Sequence, residues 1–269
     1  MLTPGLVSVS FRALTPEEII RLASQAGLRT IEWGGDVHVP EGKIQIAKEA
    51  GRLTREAGLS VSAYGSYYRL SGGDAATSFD RTLDSAVELG APTIRVWAGG
   101  KGSVDSSPLE RREIIEDALR IAEKAARAGI TISLEYHGGT LTDTRDSVRS
   151  LLDELANPNI QFYWQPPVGE STEKCSERLI DVLPRMRNVH VFHWWPTHLD
   201  RLPLKAGEAD WRVYIDIIRK SGRSAEFLLE FVAHDSPEQL LADAATLHSL
   251  LAEPASEAGN KSVSGGKPQ

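Results

Sequence analysis

The chain has 269 residues, of which 41% are hydrophobic and 25% are charged, a composition typical of a soluble globular protein with one large domain or two small ones. The formal net charge of -7 argues against a nucleic-acid partner, because such binding depends on clustered Lys and Arg. No apolar run approaches the roughly 18 residues needed to cross a membrane. The single cysteine and the lack of a secretory leader pattern favour a cytoplasmic protein. Since the charge disfavours nucleic acid, we expect the partner to be a small molecule.

The first half of the chain alternates between strand-like and helix-like segments. A strand is predicted at LVSVSF, residues 6–11, and a helix begins at TPEE, residues 15–18, where a hydroxyl cap precedes proline and two acids. Four times an amphipathic stretch ends at a glycine and runs into a β-rich segment, which is typical of a helix C-terminus followed by a strand. These glycines are Gly27, Gly58, Gly90 and Gly129, spaced 31, 32 and 39 residues apart.

The same alternation continues to the last predicted helix, which begins at SPE, residues 236–238. Strand-like runs NIQFYWQ, NVHVFHWW and SAEFLLEFV are separated by helix-like segments near residues 173–183 and 207–221. Eight strands, each followed by a helix, in roughly 250 residues predict a (β/α)₈ TIM barrel. We expect an α/β fold with a single domain over residues 1–252. Residues 253–269 are rich in Gly, Ser and Pro and are predicted to form a disordered tail.

The last four predicted strands end in polar side chains, namely Glu135, Gln165, His193 and Glu230. The C-terminal ends of barrel strands meet at one face, so these groups are expected to lie close together. An isolated Glu or His at a strand end is usually solvated or structural, but the repetition over four neighbouring strands favours a shared role. Mixed oxygen and nitrogen donors predict a divalent metal site for Mn²⁺, Mg²⁺, Co²⁺ or Zn²⁺.

Other side chains are predicted to surround this site. His137 lies two residues beyond Glu135 and therefore points to the same side of the strand, where it either moves a proton or supports the loop. Of the adjacent Trp194 and Trp195, one is expected to face the pocket and the other to pack elsewhere. The predicted substrate contacts are Glu32, Trp33, His38, Tyr64, Arg95, Trp97, Lys101 and Trp194.

Several segments resemble the xylose isomerase-like TIM barrels, which include sugar isomerases, ketose 3-epimerases and endonuclease IV. The segments are IEWGGD, IRVWAG, SLEYHGGTLTDT, HVFHWW, GEADW and LLEF. The resemblance implies one divalent metal, with Mn²⁺ preferred, held by Glu135, position 165, His193 and Glu230. Gln165 departs from the Asp usual in this family, and Val168 replaces a His that is often found three residues later. With one negative charge fewer, such a site is expected to bind its ion more weakly.

The resemblance also implies an activity. We expect a metal-dependent isomerase or epimerase acting on a ketose or related polyol-carbonyl compound through an enediolate, with Glu135 and Glu230 moving protons and His137 assisting. A lyase or hydrolase acting on keto-sugars or glycosides remains an alternative, as does a sugar-binding relative without catalysis. A DNA-repair nuclease is disfavoured by the negative charge and by only seven His. Association into a homo-oligomer is a further expectation from the family.

Overall fold

Eight parallel strands close into a barrel in the computed structural model, which describes residues 1–72 and 79–252. Neighbouring strands along the chain are neighbours in the barrel, and the last strand pairs with the first. The strands are β1 Leu2–Val7, β2 Thr30–Gly34, β3 Ser60–Arg69, β4 Thr93–Trp97, β5 Thr131–Glu135, β6 Ile160–Trp164, β7 Met186–Val191 and β8 Ala225–Leu229. The predicted (β/α)₈ TIM barrel is confirmed, whereas the predicted disordered tail lies outside the described residues.

Helices follow the strands and surround the barrel. They are α1 Pro16–Gln25, α2 Ile44–Glu56, α3 Phe79–Leu89, α4 Pro108–Arg127, α5 Arg145–Glu154, α6 Thr172–Val182, α7 Glu208–Lys220 and α8 Pro237–Ala252. Thr15 and Glu18 form a reciprocal capping box at the start of α1, as the sequence predicted. The four glycines predicted to end helices all have positive φ, between 68° and 79°, a conformation that disfavours other residues. No helix in the described ranges is long and apolar enough to cross a membrane.

Two strands differ from their predicted positions. β1 covers residues 2–7 rather than 6–11, because Leu2 to Leu6 pair with β8, and residues 8–11 form a 3-10 helix. β7 ends at Val191, which pairs with Leu229 at the end of β8. Residues 193–194 instead pair with residues 201–202 in a short antiparallel hairpin above the barrel. The predicted seventh strand was therefore too long at its C-terminal end.

The interior of the barrel is apolar at some levels and polar at others. A small apolar cluster inside it consists of Val7, Val9, Ala63, Tyr163 and Leu228. On β7 the Asn188 amide donates hydrogen bonds of 2.8 Å to Ser62 Oγ and to the Tyr163 hydroxyl. Because side chains alternate along a strand, the next inward position on β7 is His190. The polar side chains above this layer form the site described next.

Candidate metal centre

Three buried side chains converge at the C-terminal ends of the strands. Ligand atoms of Glu135, His190 and Glu230 all lie within 4.8 Å of one another. Glu135 is the last residue of β5, His190 is the last inward residue of β7, and Glu230 directly follows β8. Within residues 1–72 and 79–252 this is the only group of three or more His, Cys, Asp or Glu with such geometry.

The imidazole of His190 lies at the centre of this group. Its Nδ1 atom is 2.9 Å from Oε1 of Gln165 and 3.4 Å from both Glu135 Oε1 and Glu230 Oε2. The Gln165 amide is oriented by a 2.6 Å hydrogen bond from its Nε2 atom to the carbonyl of Tyr136. One nitrogen and three oxygens from four neighbouring strands form a donor set that fits a divalent ion.

Arg95 holds Glu135 from behind the cluster. Its Nε atom donates to Glu32 at 2.8 Å, its Nη1 atom contacts Glu135 Oε2, and all three side chains are buried. Trp97 Nε1 donates to the same Glu135 oxygen at 2.5 Å. Burial alone would raise the pKa of Glu135, but the charge of Arg95 and the imidazole of His190 together outweigh burial and hold that pKa well below its usual range. Glu135 is therefore a fixed anion with one oxygen left for an ion.

Glu32 connects Arg95 with His190. Its second oxygen, Oε2, lies 3.4 Å from Nε2 of the imidazole. A carboxylate on the far nitrogen of a metal-binding His fixes the orientation of the ring. Burial alone would lower the pKa of His190, but the carboxylates of Glu230 and Glu32 outweigh it and raise the pKa to about 10. Glu32 and Arg95, predicted to contact substrate, thus lie beneath the ligand set, with no more than 4% of either side chain exposed.

Glu230 is held less firmly. The Arg95 guanidinium is occupied by Glu32 and Glu135, and the described residues place only the imidazole of His190 against the Glu230 carboxylate. Burial raises the pKa of Glu230 above its ordinary value. The two carboxylates of the cluster thus have different surroundings and different affinities for a proton.

His193, predicted as a ligand, lies outside the cluster. It is in the short hairpin, three residues beyond His190, and its ring lies so close to Gly207 that a Cβ there would be 2.3 Å from its Nδ1 atom. Strand alternation explains why His190 lies in the cluster. Val189 and Val191 pack outward, so Asn188 and His190 face inward. The pattern N-V-H-V contained this signal, but the overlong strand prediction pointed to His193, whereas the structure brings His190 to the cluster.

Trp33 and Tyr64 face away from the site. Glu32 points inward, so the next residue, Trp33, points outward, where its Nε1 atom donates to Thr54 Oγ1 at 3.1 Å. The Tyr64 hydroxyl donates to the carbonyl of Val39 at 3.0 Å. Both side chains are fully buried in the layer between the strands and the helices. Their predicted substrate contacts are therefore replaced by a packing role.

His38 and Lys101 are also occupied elsewhere. The ring nitrogens of His38 lie 3.0 Å from Ser8 Oγ and 3.1 Å from the carbonyl of Leu14, and the side chain is buried. Lys101 is exposed and pairs with Glu110 at 2.5 Å. It lines a separate cleft that contains none of the cluster residues. Neither residue is positioned for the predicted substrate contact.

Three aromatic side chains lie beside the cluster. Trp97 contacts His137 with 5.1 Å between ring centroids, and the Nδ1 atom of His137 is 2.7 Å from the carbonyl of Gly138. Trp194 is half-buried and stacks on Phe192 with 4.0 Å between centroids and an interplanar angle of 20°. Trp195 is 48% exposed. Trp97 contacts Glu135, and His137 and Trp194 line a cleft, so substrate contacts by these three residues stay predictions.

A cleft with a volume of about 600 Å³ opens beside the cluster at the ends of β5, β6 and β7. We call it the side cleft. Gln165 belongs to both the cluster and the cleft wall, so the two adjoin at this residue. The other lining residues are Tyr136, His137, Gly138, Thr142, Asp143, Pro166, Pro167, Val168, Arg178, Phe192, Trp194 and His198.

Comparison with known proteins assigns the family. The model of the xylose isomerase-like TIM barrel matches residues 20–250. The chain belongs to the xylose isomerase-like TIM barrel family. Among curated relatives, it is 29% identical over 171 residues to a 3-dehydroshikimate dehydratase of Bacillus anthracis. That match covers 59% of this chain and 59% of the dehydratase.

Solved structures of this family have the same fold. The probable 3-DHS dehydratase AsbF from Bacillus anthracis superposes with a TM-score of 0.74 at 22% identity, covering 92% of this chain and 99% of that one. A D-allulose 3-epimerase from Methylomonas sp. gives 0.68 at 15% identity, covering 92% and 97%. Proteins with this fold thus include both a probable dehydratase and an epimerase.

Proposed function

We propose that this chain is a divalent-metal-dependent lyase that removes the proton next to the carbonyl of a polyhydroxylated ketone and expels a hydroxyl group as water. The residues that would hold the ion are Glu135, Gln165, His190 and Glu230. Such an ion, when bound, polarises a carbonyl oxygen and acidifies the neighbouring C–H bond. Mn²⁺ is the preferred ion, and Mg²⁺, Co²⁺ and Zn²⁺ suit the same mixed donors.

The unequal surroundings of the two carboxylates carry this proposal. Glu135 accepts from both Arg95 and Trp97 through one oxygen, so it is a poor proton carrier. Glu230 has no such donors, and it is the better base. Epimerisation through proton transfer on two faces needs two carriers, whereas elimination and isomerisation need one. The asymmetry therefore favours a reaction with a single base.

Elimination is favoured over isomerisation by the similarity to the 3-dehydroshikimate dehydratase. In this reaction Glu230 takes the proton from carbon, the C–O bond at the next carbon breaks, and the leaving hydroxyl takes a proton to form water. His137 lines the side cleft and has its Nδ1 atom at the Gly138 carbonyl, so its Nε2 atom is the candidate donor. A sugar isomerase remains the second candidate, because the same base serves it.

The test is a comparison of substrates in D₂O, followed by proton NMR of the diamagnetic Mg²⁺ form. With 3-dehydroshikimate we expect loss of water, and with D-fructose we expect either no change or slow deuterium entry at carbon. Deuterium entry into the ketose without any elimination would move the assignment to an isomerase. If Mg²⁺, Mn²⁺, Co²⁺ and Zn²⁺ all fail to support either reaction, the catalytic proposal is wrong and the non-catalytic alternative stands.

A further inference from the structure

The side cleft extends the cluster in one direction. Gln165, whose Oε1 atom is 2.9 Å from Nδ1 of His190, is also one of the residues that line the cleft. The volume of about 600 Å³ is in the range of roughly 300–1,000 Å³ typical of pockets for drug-sized ligands. A molecule that reaches the cluster can therefore carry a substituent that lies in the cleft.

One wall of this cleft is flat and apolar. Pro166, Pro167 and Val168 follow β6, and Phe192 and Trp194 form a stacked pair opposite the turn. The Trp194 ring is held by a hydrogen bond of 3.3 Å from its Nε1 atom to a backbone carbonyl. Hydroxyl groups of a polyol placed against this wall would lose water without gaining partners. An aromatic ring would bury its apolar surface against the Phe192–Trp194 pair.

The polar groups of the cleft suit a neutral ligand with one hydrogen-bonding group. Tyr136 is 3% exposed, and its buried hydroxyl has no hydrogen-bond partner among the described residues. Buried polar groups without partners are rare in folded proteins. Arg178 is buried too, but its guanidinium already donates to the Asp143 carbonyl at 2.9 Å and to Glu170 at 2.5 Å. The local positive charge is thus neutralised, and an anionic group is not required.

We propose that the side cleft is a subsite for a neutral aromatic substituent of the substrate. This inference rests on the proposed function, because the polyhydroxylated ketone would occupy the cluster. It narrows the substrate class to polyhydroxylated ketones that carry an aryl substituent. The apolar wall of the cleft contacts the ring.

Binding of two glycosides that differ only in this substituent tests the subsite. Phenyl β-D-glucopyranoside and methyl β-D-glucopyranoside are titrated into the Mg²⁺-supplied protein by calorimetry. We expect the phenyl compound to bind about tenfold more tightly, because burial of a ring removes apolar surface from water. Val168→Asp and Trp194→Ala are each expected to reduce this preference to within about twofold, because either loss exposes the ring to a polar environment.

The matched control is Val104→Asp, which places the same charge at a valine that is 86% exposed and should leave the phenyl preference unchanged. Thermal unfolding of each variant verifies that it is folded.

Equal binding of the two glycosides by the native chain, or a phenyl preference that persists in both cleft variants, would overturn the subsite. Deuterium exchange into a free ketose is measured on the same protein. Exchange without a phenyl preference rejects the subsite alone, whereas a preference without elimination or exchange rejects the proposed function alone.

Discussion

The two carboxylates of the cluster follow different strands, β5 and β8, and are held in different ways. On the β5 side, Glu135 accepts from Arg95 and Trp97 and keeps its negative charge. On the β8 side, Glu230 is equally buried but contacts only the imidazole of His190 among the described residues, and burial raises its pKa. Two identical residue types thus acquire different chemical roles from their neighbours.

Both carboxylates belong to the proposed ligand set, but their different surroundings make only Glu230 a good proton carrier. A carboxylate that is fixed by two donors is suited to hold a cation, because its orientation and charge do not change. A carboxylate without such donors can take a proton when substrate presents one.

Arg95→Met should destabilise the metal-free protein most. The change leaves Glu32 and Glu135 buried without their cation, and breaking a buried ion pair in this way costs about 3–5 kcal/mol of unfolding free energy. Urea unfolding measures the loss. Arg52→Met is the matched control, since Arg52 also bridges two glutamates, Glu49 and Glu56, but on an exposed helix surface. Its unfolding curve should hardly move, and equal shifts for both variants would contradict the buried role of Arg95.

Glu230→Gln should abolish most of the catalytic proton transfer. We expect a decrease of about a hundredfold or more in elimination or deuterium exchange at saturating metal. The unfolding free energy at pH 8 should not fall, because a neutral amide is easier to bury than a carboxylate. Glu135→Gln, by contrast, should lower both activity and stability, since Arg95 loses a charged partner. An activity of Glu230→Gln within tenfold of the native value would show that the base lies elsewhere.

Glu32→Gln should weaken metal binding without removing a ligand. Loss of the carboxylate behind a metal-binding His typically costs about 10–100-fold in metal affinity, which Mn²⁺ titration measures directly. Glu226→Gln provides the control, because Glu226 is an inward-facing residue of β8 four positions before Glu230 and has no contact with the imidazole of His190. An unchanged affinity in Glu32→Gln would separate Glu32 from the metal site.

Metal affinity should rise with pH over the range in which His190 loses its proton. Without metal the imidazole has a pKa of about 10, above its usual value, so it is protonated at neutral pH. A metal ligand must be neutral, so binding releases this proton and affinity should increase about tenfold per pH unit between pH 7 and 10, then level off. Calorimetry at pH 8 in two buffers with different ionisation enthalpies counts the protons. Release of none would contradict His190 as a ligand.

The family and the barrel were predictable because they depend on local patterns. Helix caps, glycines with positive φ and alternating strands recur with each unit, and each can be recognised without knowledge of its neighbours. The positions of Glu135 and Glu230 followed from the same logic, because each comes at the end of an apolar strand. The prediction that His193 joins these glutamates failed at the end of β7, because the point at which a strand ends depends on its pairing partners. β7 ends at Val191, which pairs with the last residue of β8. The last inward-facing residue of β7 is therefore His190.

The sequence by itself determined the repeating βα units, the face on which polar residues gather and the presence of two glutamates there. Only the tertiary structure decided that Arg95 and Glu32 lie beneath the site rather than on its rim, and that Trp33 and Tyr64 pack outward. The physical reason is that these roles arise from contacts between strands that are far apart in the chain. Glu32 and His190 are separated by 158 residues, and no local pattern records that they meet.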